Sequence, residues 1–157
     1  MHIRRATIED AELIARLVKP VHDIHVQARP DFFKPYALTA ELIADFCNQL
    51  ADESITCLIG EVDGEAVGYV LAQVIERAEN PYTYAMRYLL VDQISVNPEV
   101  RSKGYGEALM QAVFDLAKSL ELPRVMLGVW AFNERAITFY ERLGLMALDT
   151  RMEVDLD

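Results

Sequence analysis

The sequence predicts a mixed α/β (α+β) domain: a mostly antiparallel sheet of six or seven strands with helices on both faces. Three observations carry this. Apolar residues recur at helical spacing up to Leu50, alternate from Ile55 onward, and return to helical spacing beyond Gly104. Asp63-Gly64 lies between two alternating runs, the signature of a two-residue hairpin turn. The last part of the chain then interleaves strands and helices, which sets helices against the sheet.

In chain order, His2 to Ala6 reads as a short opening strand. Thr7 and Asp10 have capping-box spacing before a helix carrying Ala11, Ile14, Ala15, Leu17 and Val18. Pro20 interrupts that helix, which resumes as far as Arg29-Pro30. The segment RPDFFKPY, with two prolines and three aromatics, reads as an ordered loop. Thr39 caps a second helix with Leu42, Ile43, Phe46 and Leu50 on one face. Ile55–Val62 and Ala66–Ile75 form the hairpin, and a longer polar connection containing Pro81 leads to a central strand, Leu89–Val96. Beyond the helix that starts at Gly104, Arg124–Trp130 reads as a strand, Asn133–Arg142 as a short helix and Met146–Leu156 as a last strand. The order is β-α-α-β-β-β-α-β-α-β, with no repeat or linker dividing residues 1–157 into more than one domain.

Composition narrows the function classes. The 157 residues suffice for a sizeable core, and a 52% hydrophobic content argues for a folded chain. No apolar run approaches the ~20 residues of a membrane span, and MHIRRATIED lacks a signal-peptide core, so the expectation is a cytoplasmic protein without a membrane partner. Two isolated cysteines, Cys47 and Cys57, suggest neither a disulfide framework nor a metal site. A net charge of −10 argues against nucleic acid as a partner and suits a cationic substrate such as an amine.

The stretch around which these elements are organised is LLVDQISVNPEVRSKGYGEALMQAVFDLA, Leu89 to Ala117. A strand feeds a polar turn and then a helix with glycines Gly104 and Gly106 at its start. The first N–H groups of a helix have no partner inside it, and the helix dipole favours negative charge there, so this start is suited to phosphate. It is not a Walker loop, since Glu107-Ala108 stands where Lys and Ser or Thr belong, nor a dinucleotide fingerprint, since Leu109 replaces the third glycine.

Arg101-Ser102-Lys103-Gly104-Tyr105-Gly106 instead resembles the R/Q-x-x-G-x-G/A pyrophosphate loop of the GCN5-related N-acetyltransferase (GNAT) family. The resemblance continues in NERAITFYERLGL, where Asn133 is followed seven residues on by Tyr140 and then by Leu143-Gly144. It implies acetyl-coenzyme A as cofactor and direct acyl transfer to an amine. Backbone groups from Arg101 to Glu107 would hold the pyrophosphate. The edge at Ile94, Ser95 and Val96, together with Asn133, would hold the pantetheine arm in a gap where the strand ending at Val96 splays from the next. Tyr140 would give a proton to the leaving thiolate.

The base is where the resemblance departs. Some family members carry a Glu five residues before the Asn, and here that position is Gly128. A primary amine with a pKa of about 10.4 still has to lose a proton before attack. Asp92, the only acid within the central strand, stands open as a base acting through water, a site for a cationic amine, or a solvated or salt-bridged residue. Glu76 on the preceding strand is a second candidate of this kind. The family places its first two helices and their connection along the acceptor, which implicates His22, His25, Arg29, Asp31, Phe32 and Phe33. A homodimer through an edge strand is compatible with the sequence.

Overall fold

The computed structural model describes residues 1–156. Five strands form one sheet in the order β1-β2-β3-β4-β5, with β1 His2–Arg5, β2 Ile55–Val62, β3 Glu65–Arg77, β4 Met86–Val96 and β5 Val125–Leu127. All neighbours are antiparallel except β4 and β5, which run parallel. The helices are α1 Ala11–Leu17, α2 Lys19–Ala28, α3 Ala40–Ala51, α4 Tyr105–Ser119 and α5 Glu134–Arg142.

Alternation along β3 sorts the core into two layers. Tyr69 and Leu71 face Ile14, Ala15 and Phe46 of α1 and α3, whereas Val70 and Ala72 face Leu109, Met110 and Val113 of α4. The local signals act where the sequence places them. The Thr7 N–H donates to Asp10 Oδ2 at 2.8 Å, and the Leu42 N–H donates to Thr39 Oγ1 at 3.1 Å. Asp63 and Gly64 both have positive φ, 52° and 83°, as a tight hairpin turn of this hand requires. The RPDFFKPY loop is pinned by the Tyr36 hydroxyl, which donates to the Ala15 carbonyl at 2.7 Å.

Two expectations are corrected. The Arg124–Trp130 strand is shorter, Val125–Leu127, because its pairing with β4 stops at Val91 opposite Leu127. Met146–Leu156 alternates in sequence but forms no strand: among the described residues its backbone makes no ladder with a neighbour. The sheet therefore has five strands, not six or seven.

Two irregularities mark the pairing of β3 with β4. Leu71 pairs with Gln93 but Ala72 pairs with Val91, leaving Asp92 as the extra residue of a β-bulge. Gly68 lies opposite Val96, where a Cβ would sit 2.5 Å from the Ser95 carbonyl oxygen. Because that obstacle is backbone, relief requires the two strands to part. Gly68→Ala is expected to cost about 1–3 kcal/mol, read as a lower midpoint in chemical denaturation. An unchanged midpoint would show that β3 and β4 are not held this close.

Candidate active site

The ladder between β4 and β5 spans only Leu89–Val91 against Val125–Leu127. Beyond it β4 runs on to Val96 with this edge unpaired, while the other chain segment turns away at Gly128. The gap opens into a cleft of about 330 Å³. From β4 it is lined by Val91, Asp92, Gln93 and Ile94, and from the end of β5 by Leu127, Gly128, Val129 and Trp130. A Cβ at Gly128 would meet nothing within 4 Å, so this position leaves open space at the end of β5.

Helix α5 supplies the next wall. Asn133 Oδ1 accepts from the Ala136 N–H at 3.2 Å and caps the helix. Helical spacing then places Asn133, Ala136 and Tyr140 on one face, and all three line the cleft. Tyr140 packs beside Phe139, ring centroids 5.3 Å apart, and burial pushes its phenol up to about 12. It therefore carries its proton at neutral pH.

Opposite stand α2 and the loop after it. Val18, Val21, His22, His25 and Phe33 line the same cleft. His25 Nδ1 lies 2.6 Å from the Val21 carbonyl and His22 Nε2 lies 2.7 Å from that of Lys34. A carbonyl only accepts, so these nitrogens carry the N–H, and neutral His25 keeps a lone pair on Nε2. Aromatic edges surround it, with Phe33 at 5.0 Å and Phe132 at 5.6 Å, and Trp130 stacked on Phe132 at 5.7 Å. Phe32 is exposed and packs edge-on against Trp130 at the rim. Arg29 is held by Asp31 at 2.8 Å and by Glu153.

Asp92 is exposed and oriented by neighbours: the Tyr69 hydroxyl donates to Gln93 Oε1 at 2.7 Å, and Gln93 Nε2 donates to Asp92 at 3.3 Å. Glu76 is not brought here. It bonds Arg87 at 2.8 Å and lines a separate hollow toward the other end of β3, about 17 Å along the strand from Leu71 at the usual rise per residue.

At the end of β4 the chain makes a short turn and enters α4. Gly104 is the N-cap, with φ +81°, and a Cβ there would meet nothing within 4 Å. Ser102 also has positive φ, 66°. Lys103, Gly104 and Glu107 are exposed, Tyr105 and Gly106 half-buried. Arg101 Nε donates to the Val96 carbonyl at 3.2 Å. Burial, and secondarily the charge of Arg135, lower the affinity of Arg101 for its proton. Among the described residues neither guanidinium has a carboxylate partner. Ser95 is buried with its hydroxyl unbonded, and as the partner of Tyr69 its backbone is turned toward β3, so it is not brought to the open edge as Ile94 and Val96 are.

Residues 19–145 match the family model described as the acetyltransferase (GNAT) family. The chain belongs to that family. It is 40% identical over 60 residues, 38% of its length, to the L-2,4-diaminobutyric acid acetyltransferase of Nocardia farcinica. The aligned stretches span 28% to 43% of the lengths of the curated relatives it matches. Across 99% of the chain it superposes on all of a tetramutant of the BH1408 protein from Bacillus halodurans, with a TM-score of 0.91 and 27% identity. It shares the fold of the aminoglycoside N-acetyltransferase AAC(6')-Iy, solved in complex with CoA: TM-score 0.77, 18% identity, 99% of this chain and 93% of that one covered.

For a GNAT domain, several cleft residues carried no signal of their own in the sequence. Gln93, Trp130 and Ala136 come to the cleft only through the fold, as do Phe132 behind His25 and Trp130 and Arg135 near Arg101. The nearness of the single Trp130 to Asn133 is the one cue that pointed there. Tyr140 also gives a test. Its folded-state pKa lies above the unfolded value of about 10, so its contribution is intact below pH ~10 and is lost as pH rises toward about 12. The stability difference between wild type and Tyr140→Phe is therefore expected to change in that window, in denaturant melts taken at successive pH values. A pH-independent difference would place the phenol in water.

Proposed function

We propose that this chain is an acetyl-coenzyme A-dependent N-acetyltransferase that moves the acetyl group directly to a primary amine of a small molecule or peptide. The observation that carries this reading is that an unpaired strand edge and a buried phenol line one cleft, and the strand that supplies the edge leads directly into a helix start carrying Arg101 and Lys103. The residues fit such a cofactor. The outward N–H and C=O groups of Ile94 and the N–H of Val96 suit the amides of an extended arm, while Ser95 between them is turned to Tyr69 of β3 and holds the edge in place. The backbone from Arg101 to Glu107, with Gly104 in an open left-handed conformation, suits a pyrophosphate, and Arg101, Lys103 and Arg135 supply charge. Asn133 stands beside the arm's path on the α5 side. When bound, the cofactor supplies an acetyl group already activated as a thioester.

The chain's own residues then have three tasks. Tyr140 holds a proton on its hydroxyl for the departing sulfur, a role that its raised pKa supports. Asp92 draws the ammonium form of the acceptor into the cleft, and with His25 Nε2 gives the amine proton somewhere to go. The aromatic edges of Phe33, Trp130 and Phe132, with Phe32 at the rim, wall the acceptor. Among the described residues, Asp92 is the only carboxylate lining the cleft. A single acid among aromatics favours an amine on an apolar or aromatic body over a polycation, which would need several acids.

Two variants and one assay test this. With acetyl-coenzyme A and a panel of amines, thiol release is expected, fastest on apolar and aromatic amines. Gly104→Asp is expected to raise the cofactor Kd at least about tenfold, since it sets a strained, negative side chain at the helix start. Tyr140→Phe is expected to keep that Kd and slow turnover by roughly 10² or more, the usual weight of a positioned acid. Wild-type affinity in Gly104→Asp would remove the loop assignment, and unchanged turnover in Tyr140→Phe would remove the acid. Binding without release on any amine would favour an acyl-coenzyme A sensor.

A further inference from the structure

Side chains from two strands form a directed run of hydrogen bonds from the core to the cleft. Tyr69 of β3 is fully buried, its ring set edge-on against Phe46 at 6.4 Å. Its hydroxyl lies 2.7 Å from Gln93 Oε1, and Gln93 Nε2 lies 3.3 Å from Asp92 Oδ2. The register of the strands sets this up. Gln93 pairs with Leu71, so Tyr69 is its diagonal neighbour on the same face. Successive strand residues normally point to opposite faces, but the bulge at Asp92 lets Asp92 and Gln93 meet.

The direction of the run is fixed from both ends. A carboxylate only accepts, so the Gln93 amide nitrogen faces Asp92 and its oxygen faces Tyr69. The Tyr69 phenol keeps the proton it donates, because burial, and after it Cys57 and Asp92, push its pKa well up. Turning the amide over would set its oxygen against the carboxylate. One amide hydrogen of Gln93 serves Asp92, and the other has no partner among the described residues, on a side chain that lines the cleft. The cleft therefore presents a carboxylate and an N–H donor only 3.3 Å apart.

We propose that Gln93 is a specificity-determining residue, whose remaining N–H donates to an oxygen on the carbon next to the one bearing the acceptor's amine. An ammonium on Asp92 and an oxygen on Gln93 come from neighbouring carbons of one molecule, because the two protein groups touch. On the reading of this cleft as the amine site of an acetyltransferase, on which this assignment rests, the acceptor is an apolar or aromatic amine with a vicinal hydroxyl or carbonyl. Tyr69 does not line the cleft. It is the positioning residue that holds the amide in this sense.

The test compares phenylalaninol with its deoxy analogue, in which hydrogen replaces the hydroxyl. Calorimetry on the full chain with coenzyme A present reads amine binding, and thiol release from acetyl-coenzyme A separately reads transfer. Wild type is expected to bind phenylalaninol about tenfold more tightly than the analogue, the weight of one hydrogen bond. That ratio is expected to fall toward unity in Gln93→Leu and in Tyr69→Phe, the second of which removes one core oxygen and nothing from the cleft. A general loosening of the site would weaken both amines alike and leave the ratio in place. A preference lost in both variants, with no thiol released on either amine, would uphold Gln93 and overturn the transfer reading instead. Equal affinity for the two amines in wild type, binding of neither, or a ratio that survives either substitution would overturn the proposal.

Discussion

The structure turns on the brevity of one ladder. β4 is the long central strand, fully paired with β3 on one side, but its parallel pairing with β5 lasts three residues. Everything proposed for the cleft depends on the strand continuing alone to Val96. Apart from the Val96 carbonyl, which accepts from Arg101, its outward N–H and C=O groups have no strand beside them, and such backbone groups seek partners. The bulge at Asp92 sits where pairing with β5 stops, so the one acid of the strand projects at the mouth of the gap. Gly68 permits the other side of the strand to stay close at the level of Val96.

Around that gap the charges are arranged against the chain's overall sign. The protein carries a net charge of −10, yet Arg101 and Arg135 lie close enough to repel each other without carboxylate partners among the described residues, beside the start of α4. The cleft itself is aromatic, with a single acid and an imidazole nitrogen left free by a backbone bond. Tyr140 lines it, and burial keeps its proton on. On the proposed reading, an anionic cofactor and an amine acceptor meet from opposite ends, each facing chemistry suited to it. Cys57 takes no part in this: buried beneath α1 and α3, its thiol is pushed up to about 12 by burial.

Much of this was legible in the sequence because local physics wrote it there. Asp63-Gly64, Thr39 and the Thr7–Asp10 pair act within a few residues, and their signals survive any tertiary context. The RSKGYG loop and the Asn133–Tyr140 pair were legible differently, through resemblance to the family's motifs; helix periodicity adds only that Asn133 and Tyr140 share a face. What could not be read depends on distant chain meeting. Glu76 and Asp92 look alike in sequence, both acids on neighbouring strands, but the register of β3 on β4 gives Glu76 to Arg87 and leaves Asp92 at the cleft. The last strand failed differently. Met146–Leu156 has the right alternation, but alternation says only that one face wants cover, not that cover exists in the same chain.

The most direct test of the account is amide hydrogen exchange of the wild-type protein with and without saturating acetyl-coenzyme A, because it reads the backbone groups on which the site is built. Slowed exchange is predicted at Ile94 and Val96 of the open edge and at residues 101–107 around the start of α4, with the β1–β2 side of the sheet unchanged. Binding that left both segments unprotected, or protection confined to the far side of the sheet, would contradict it.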